Sequence, residues 1–264
     1  MLTYAGSLGS AAPKMAHLTS DALVLRTYKL GETSRIVVLL TRERGKVRAV
    51  AKGARGGRPR YQSALEPLSE VRVGLYGRQG AELLRLGECE LLRSAFRAGE
   101  RGLETALFLS YLAELLDAFS PEGEAEDKVY RLALAVVHAA EDGGAGPLLA
   151  RYLEAWLLKL HGIYPPLDHC AGCHRPLATG SLRYHRASHG FVCDDCGPAS
   201  GPVLPEGARS FLGEVFRRAP ADLAGPVPPE ATILESFHYD LISSHLERGL
   251  RSPGVLKDVA REAL

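Results

Sequence analysis

Residues 22–54 read ALVLRTYKLGETSRIVVLLTRERGKVRAVAKGA, and their pattern indicates a β-structure for the N-terminal part of the chain. Two β-branched and aliphatic runs, 22–29 and 35–41, are separated by a short segment that contains Gly31, which predicts a β-hairpin. A second turn at 43–45 leads into KVRAVAKGA, where apolar and basic residues alternate with the period of a strand. The stretch therefore predicts three consecutive strands.

Two further alternating runs follow, LSEVRVGLY at 68–76 and ELLRLGECELL at 82–92. They bring the total to about five short strands, which fits a small closed barrel such as the OB-fold. From residue 102 the apolar period changes to nearly four, as in GLETALFLSYLAELLDAF, and predicts a helix with a wide apolar face. Further helices are expected over residues 127–141, from Pro147 to about Gly162, over 209–218 and over about 231–250.

Four of the five cysteines form two Cys-x2-Cys pairs, CAGC with Cys170 and Cys173, and CDDC with Cys193 and Cys196. Thiolates at this spacing suit one tetrahedral Zn2+. A four-sulfur shell leaves no position for water or substrate, so the expected zinc is structural. The fold class predicted is α+β, with an N-terminal OB-fold β-barrel followed by a helical bundle that carries an inserted four-cysteine zinc module.

Three alternatives compete with a structural zinc held by four cysteines. Two disulfides could use the same cysteines, although the N-terminus does not resemble a secretory signal and a reducing cytosol disfavours them. One of the nearby histidines could replace a sulfur. A catalytic zinc of the deaminase kind would need an upstream His-x-Glu motif, which does not precede Cys170. Cys89 is expected to be a small core residue.

The composition, 46% hydrophobic and 24% charged over 264 residues, fits a globular chain of one or two domains. Apolar runs stay well short of the roughly twenty residues of a membrane span, so we expect no membrane partner. The expected organisation is a disordered tail over 1–16, a nucleic-acid-binding barrel over 17–95 and a helical domain over 96–264, with the zinc module at 166–202.

Positive charge is concentrated at the N-terminus. Residues 1–61 carry twelve Lys or Arg against three acids, whereas the remaining chain carries 20 basic and 28 acidic residues. The sharpest run is 42–60, with eight basic residues and the single acid Glu43, and it suits a groove that follows a phosphate backbone. A solvated charged face is the alternative. The candidate nucleic-acid-binding residues are Arg35, Arg42, Arg44, Lys46, Arg48, Lys52, Arg55, Arg58 and Arg60.

Aromatic residues are few in the barrel region, where we count Tyr28, Tyr61 and Tyr76. Each tyrosine could equally be a core or rim residue or a stacking platform. Phosphate contacts should therefore dominate over base stacking, with little sequence specificity and a steep salt dependence. Phosphate-loop, nucleophile-elbow and His-Glu-x2-His motifs are absent from the sequence, so we do not expect an enzyme.

Together these segments resemble the RecO recombination mediator proteins of bacteria. The resemblance runs from about His17 to Arg248 and rests on ALVLRTYKLGETSRIVVLLTRERGKVRAVAKGARG, LEPLSEVRVGLYG, LSYLAELLDAFSPEGE, and HGIYPPLDHCAGC followed by CDDC. It implies an OB-fold, a helical domain and a zinc module between helices. The four cysteines match the zinc ligands of those members that have them, and the basic run matches the DNA-binding barrel.

The resemblance also implies a function, partners and a cytoplasmic, nucleoid-associated location. Members are not enzymes; they bind single- and double-stranded DNA, promote strand annealing and, with RecR, help RecA load onto DNA coated by single-strand binding protein. They also dock the acidic tail of that protein. We place this docking hypothetically on the helical domain, near Arg131, Arg151 or Lys159. The alternatives are an RNA- or ribosome-associated zinc-containing OB-fold factor, which composition fits nearly as well, and a pure protein scaffold.

Overall fold

The computed structural model describes residues 15–55, 61, 63–78, 80–95, 100, 102–143, 146–197, 201–223, 229–246 and 250. Residues 1–14 of the expected tail lie outside the described residues, as do the candidate DNA-binding residues Arg58 and Arg60. Among the residues that are described, no helix is both long enough and apolar enough to cross a bilayer.

Five strands close into a barrel in the order β1-β2-β3-β5-β4, as the sequence predicts. The long first strand pairs with β2 through its second half and with β4 through its first half. Parallel pairing of β3 with β5 closes the barrel. The strands are β1 Met15–Leu30, β2 Ser34–Thr41, β3 Gly45–Ala51, β4 Glu70–Arg78 and β5 Leu83–Arg93.

The first two strands are apolar on both faces because each face enters a different core. Inward side chains fill the barrel, while outward ones join a second core with the helices. On β1 and β2 the inward set includes Ala22, Val24, Val37 and Leu39, and the outward set is Leu23, Leu25, Val38 and Leu40. The barrel is therefore packed against the helical domain along one outer face.

The helical domain is built around α3, which packs against all four other helices. The helices are α1 Leu103–Phe119, α2 Asp127–Glu141, α3 Gly146–Leu160, α4 Glu206–Val215 and α5 Glu230–His245. The bounds predicted for the last two were wrong. Helix α4 begins after Pro205 rather than at Arg209, and α5 ends at His245 because Leu246 becomes extended and packs on the core.

The cysteine module lies between α3 and α4 and contains a small sheet of order β7-β6-β8. Its strands are β6 Leu182–His185, β7 Gly190–Val192 and β8 Val203–Leu204. Tyr184 and Phe191 of this sheet contact Phe237 of α5, with ring centroids 5.2 Å and 5.7 Å apart. The module is thus attached to the bundle through a buried aromatic cluster rather than by its sulfurs alone.

Candidate nucleic-acid interface and metal cluster

A buried ion pair joins the barrel to α1. Asp117 is only 4% exposed, and its carboxylate meets Arg26 at 2.9 Å and the ammonium of Lys46 at 3.4 Å. Lys46 also donates to the main-chain carbonyl of Asp117. Lys46 was predicted to bind DNA. In the structure its side chain takes part in the contact between the two domains.

Two exposed ion pairs extend this contact outward. Arg48 pairs with Glu122, and the guanidinium of Arg42 lies 2.9 Å from Asp127, which also binds Arg131. We call these pairs, together with the one at Asp117, the seam. Exposed pairs contribute only about 0.2–1 kcal/mol. A phosphate can therefore compete for Arg42 and Arg48 far more readily than for Lys46.

A second group of cations lies at the end of the barrel away from the seam. Lys29 and Arg35 are paired in the β1–β2 register. The chain after β3 folds over the same end, because Arg55 donates from its backbone to Thr33 at 2.9 Å and from its guanidinium to Gly31 at 2.8 Å. We name Lys29, Arg35, Lys52 and Arg55 the rim cluster.

The rim cluster contains Arg35, Lys52 and Arg55, which were predicted to bind nucleic acid, and Lys29, which was not. Lys52 and Arg55 are exposed and Arg35 is half-buried, and none of the three forms an ion pair with a described residue. Lys29 was overlooked because it belongs to an apolar strand and precedes the basic run. Arg44 lies apart from the cluster, in the β2–β3 turn, where its backbone donates to the Thr41 hydroxyl.

The four predicted metal ligands come together. All possible ligand atoms of Cys170, Cys173, Cys193 and Cys196 lie within 4.8 Å of one another, and the sulfurs of Cys173 and Cys193 are 3.7 Å apart. A tetrahedral zinc with Zn–S bonds of about 2.3 Å places sulfurs about 3.8 Å apart. The geometry and the soft donor set both fit zinc, and all five cysteines are free of disulfides.

Hydrogen bonds favour the thiolate form of Cys170 and Cys173, whereas the hydrogen bond with Cys193 raises the pKa of Cys196 to about 12. Burial opposes ionisation of Cys170, but backbone N–H groups of Cys193, Cys173 and Gly172 outweigh it and lower its pKa to about 6. Arg175 donates to the sulfur of Cys173 at 3.3 Å and lowers the pKa of that thiol. Thiolates are the form that binds zinc, so these residues would hold the ion, which would supply a structural crosslink.

Neighbouring side chains approach both glycines beside the cysteines closely, and Gly197 more closely than Gly172. A Cβ at Gly172 would lie 3.1 Å from the Cβ of Cys196, and one at Gly197 would lie 2.3 Å from Val192. The constraint at both positions is one of space, since neither glycine is among the residues with positive φ.

A buried polar network occupies the helical core. Glu154 is 1% exposed; it accepts hydrogen bonds from Arg151, from Tyr111 at 2.7 Å and from Nδ1 of His238 at 2.9 Å. Burial acts to raise the pKa of Glu154, but the charge of Arg151 and the bonds from His238 and Tyr111 keep it below its ordinary value. Tyr164 donates to Nε2 of His238 at 3.0 Å, which fits a neutral imidazole.

This network corrects the hypothesis that Arg151 takes part in surface docking. Arg151 is 7% exposed and is committed to Glu154 and Glu235. Lys159 is the basic residue that does lie beside apolar surface, since its ammonium is 5.1 Å from the ring centroid of Trp156 and 3.9 Å from that of Phe216.

An OB-fold barrel with a basic rim, joined to a helical domain with a four-cysteine module, defines a class of two-domain OB-fold proteins with a metal-binding insertion. The family description "Recombination protein O N terminal" matches residues 15–95, and "Recombination protein O C terminal" matches residues 101–253. The chain belongs to the RecO family.

Relatives named DNA repair protein RecO match nearly the whole chain. The protein of Koribacter versatilis is 36% identical over 88% of this chain and 94% of its own length. That of Anaeromyxobacter sp. (strain K) is 32% identical over 93% of this chain and 98% of its own. The protein of Geobacter metallireducens is 33% identical over 93% of this chain and 99% of its own length.

Proposed function

We propose that this protein is a mediator of DNA repair and homologous recombination. It binds single- and double-stranded DNA through the barrel and promotes strand annealing. With RecR, it helps RecA load onto DNA coated by single-strand binding protein. The observation that carries the proposal is the rim cluster on the OB-fold barrel of a RecO-family chain. It acts by binding alone, without a catalytic centre, in the cytoplasm.

The rim cluster suits phosphates because its cations are open to solvent. Lys52 and Arg55 are exposed. The carboxylates of the seam pair with other cations, so they do not neutralise the charge of these two residues. Each phosphate that such a cation neutralises releases counterions, so binding weakens steeply as salt rises. Neutralising phosphates on two strands also lowers their mutual repulsion. This gives a physical route to annealing without a chemical step.

The helical domain supplies the surface for a protein partner. The acidic tail of single-strand binding protein would dock beside Lys159, where a positive charge lies next to the half-buried rings of Trp156 and Phe216. The positive charge of Lys159 matches the negative charge of an acidic tail. The four-cysteine module holds one structural Zn2+ and stabilises the fold between α3 and α4.

Titration of single-stranded DNA, duplex DNA and RNA against the intact protein at several salt concentrations tests the proposal. We expect both DNA forms to bind with a strong salt dependence, complementary strands to anneal faster, and RecR to be retained in a pull-down. Preference for RNA without retention of RecR would favour an RNA-associated factor. Absence of binding to every nucleic acid at low salt would leave only a scaffold role.

A further inference from the structure

Part of the outer face of the barrel is left uncovered by the helical domain. Starting at the seam, which includes Arg26 and Arg48, the paired positions on β1, β2, β3 and β5 form two adjacent rows across the sheet. The first row is Arg26, Val38, Arg48 and Leu83, and the second is Tyr28, Ile36, Val50 and Arg85. We call these two rows, without the buried Val38, the open face.

The open face combines exposed apolar groups with positive charge. Tyr28 is 43% exposed and Leu83 is 45% exposed, and Ile36 and Val50 between them are half-buried. The charged side chains in both rows are arginines: Arg26 and Arg48 are paired with Asp117 and Glu122 of the seam, and Arg85 is exposed. Carboxylates of β4 and β5, such as Glu70 and Glu90, lie on the other side of the barrel, where they face Arg93 and Arg72 in the register.

The structure distinguishes between the three tyrosines of the barrel. Tyr61 is 8% exposed and its hydroxyl donates to the carbonyl of Gly87 at 3.1 Å. The ring of Tyr76 lies against Gly87, where an added Cβ would come within 2.2 Å of it. Tyr28 alone of the three is an exposed ring on the basic side of the barrel.

Tyr28 is also held in position before any ligand arrives. The guanidinium carbon of Arg26 lies 4.9 Å from the centroid of the Tyr28 ring. Arg26 is itself fixed by the 2.9 Å pair with the buried Asp117. A ring oriented in this way loses little conformational freedom when a flat group stacks on it.

We infer that the open face is a base-stacking platform for single-stranded nucleic acid, on which Tyr28 sets the preference for single strands over duplex. This inference rests on the proposed function and names the form of DNA that the site selects. A duplex keeps its bases stacked inside, whereas a single strand can place a base on an exposed ring. Adjacent strands lie about 4.8 Å apart, so Arg85, three strands away, lies within about 15 Å to bind a neighbouring phosphate.

Binding measurements on four proteins test the platform. Wild type, Tyr28→Ala, Tyr28→Phe and Tyr239→Ala are each titrated with an oligothymidylate, an abasic strand of equal length and a duplex. Tyr239 is a matched control, since it is 37% exposed but lies on α5 of the helical domain. Tyr28→Ala should bind the oligothymidylate about 5- to 150-fold more weakly, the range for loss of one stacked base. Its affinity for the abasic strand and the duplex should be unchanged.

Tyr28→Phe should keep the wild-type affinity, because the ring rather than the hydroxyl stacks, and Tyr239→Ala should behave as wild type. Equal weakening of Tyr28→Ala toward all three probes, or no weakening toward any, would overturn the inference while leaving DNA binding intact. Wild type that binds none of the probes would instead overturn the proposed function, and the platform with it. A photoactivatable base should crosslink to Tyr28 in the wild-type protein, and crosslinking only elsewhere would also contradict the platform.

Discussion

Lys46 and Lys52 are the same residue type, six positions apart at the start and just beyond the end of β3, yet the structure gives them different roles. The Lys46 side chain is 11% exposed and bonds to the carboxylate and carbonyl of Asp117. Hydrogen bonds to charged groups contribute about 1.5–3 kcal/mol. Because Arg26 still neutralises Asp117 after Lys46 is removed, Lys46→Ala should lower the free energy of unfolding by about 2 kcal/mol.

Lys52→Ala is the matched control. Lys52 is exposed and makes no ion pair with a described residue, so its removal should change the free energy of unfolding by less than about 0.5 kcal/mol. Urea unfolding followed by circular dichroism measures both variants. The Lys46→Ala loss corresponds to a melting temperature lower by about 4–8 °C. Equal stability of the two variants would show that Lys46 does not stabilise the seam. Lys46 would then be available to bind phosphate, like Lys52.

Three further predictions concern other parts of the molecule. Cys170→Ser or a strong chelator should lower the melting temperature and abolish one equivalent of zinc by metal analysis, because thiolate–zinc binding is coupled to folding, while DNA affinity falls much less. Burial lowers the pKa of His238 below its ordinary value of 6.5; the unfolded state therefore binds more protons below about pH 6.5, and stability falls as the pH decreases. His238→Gln should flatten that dependence in urea titrations at a series of pH values, and an unchanged slope would contradict the buried neutral imidazole. Glu122→Gln combined with Asp127→Asn should free Arg48 and Arg42 and raise DNA affinity up to about fivefold; a lower affinity would show that these carboxylates do not compete with phosphate.

Local patterns predicted most of the fold. Alternation within residues 35–51 and the period of nearly four from residue 102 correspond to β2, β3 and α1. The Cys-x2-Cys spacing predicted the metal cluster because each pair lies within a single turn, so its geometry depends on few distant contacts. The bounds of α4 and α5 were less predictable, since Pro205 and the packing of Leu246 decide them.

Which residues of the basic run 42–60 belong to the seam and which to the rim cluster could not be predicted from the sequence. Lys46, Arg48 and Lys52 alternate in the same way along the chain, and only the position of α1 distinguishes them. In the sequence, Asp117 is a polar residue within an apolar helix. Its partners Arg26 and Lys46 are more than seventy residues away, so local pattern does not reveal the pairing. Arg151 was misjudged for the same reason, because its partner Glu235 is on another helix.

If exposed cations on the barrel bind the DNA backbone, the salt dependence of single-strand binding reports the number of these contacts. Wild type is compared with Lys52→Ala combined with Arg55→Ala, two exposed positions of the rim cluster. Each lost phosphate contact on a single strand lowers the slope of log K against log salt by about 0.7. For the double variant we expect a slope shallower by about 1.4 and an unchanged melting temperature. An unchanged slope would contradict backbone binding by these cations.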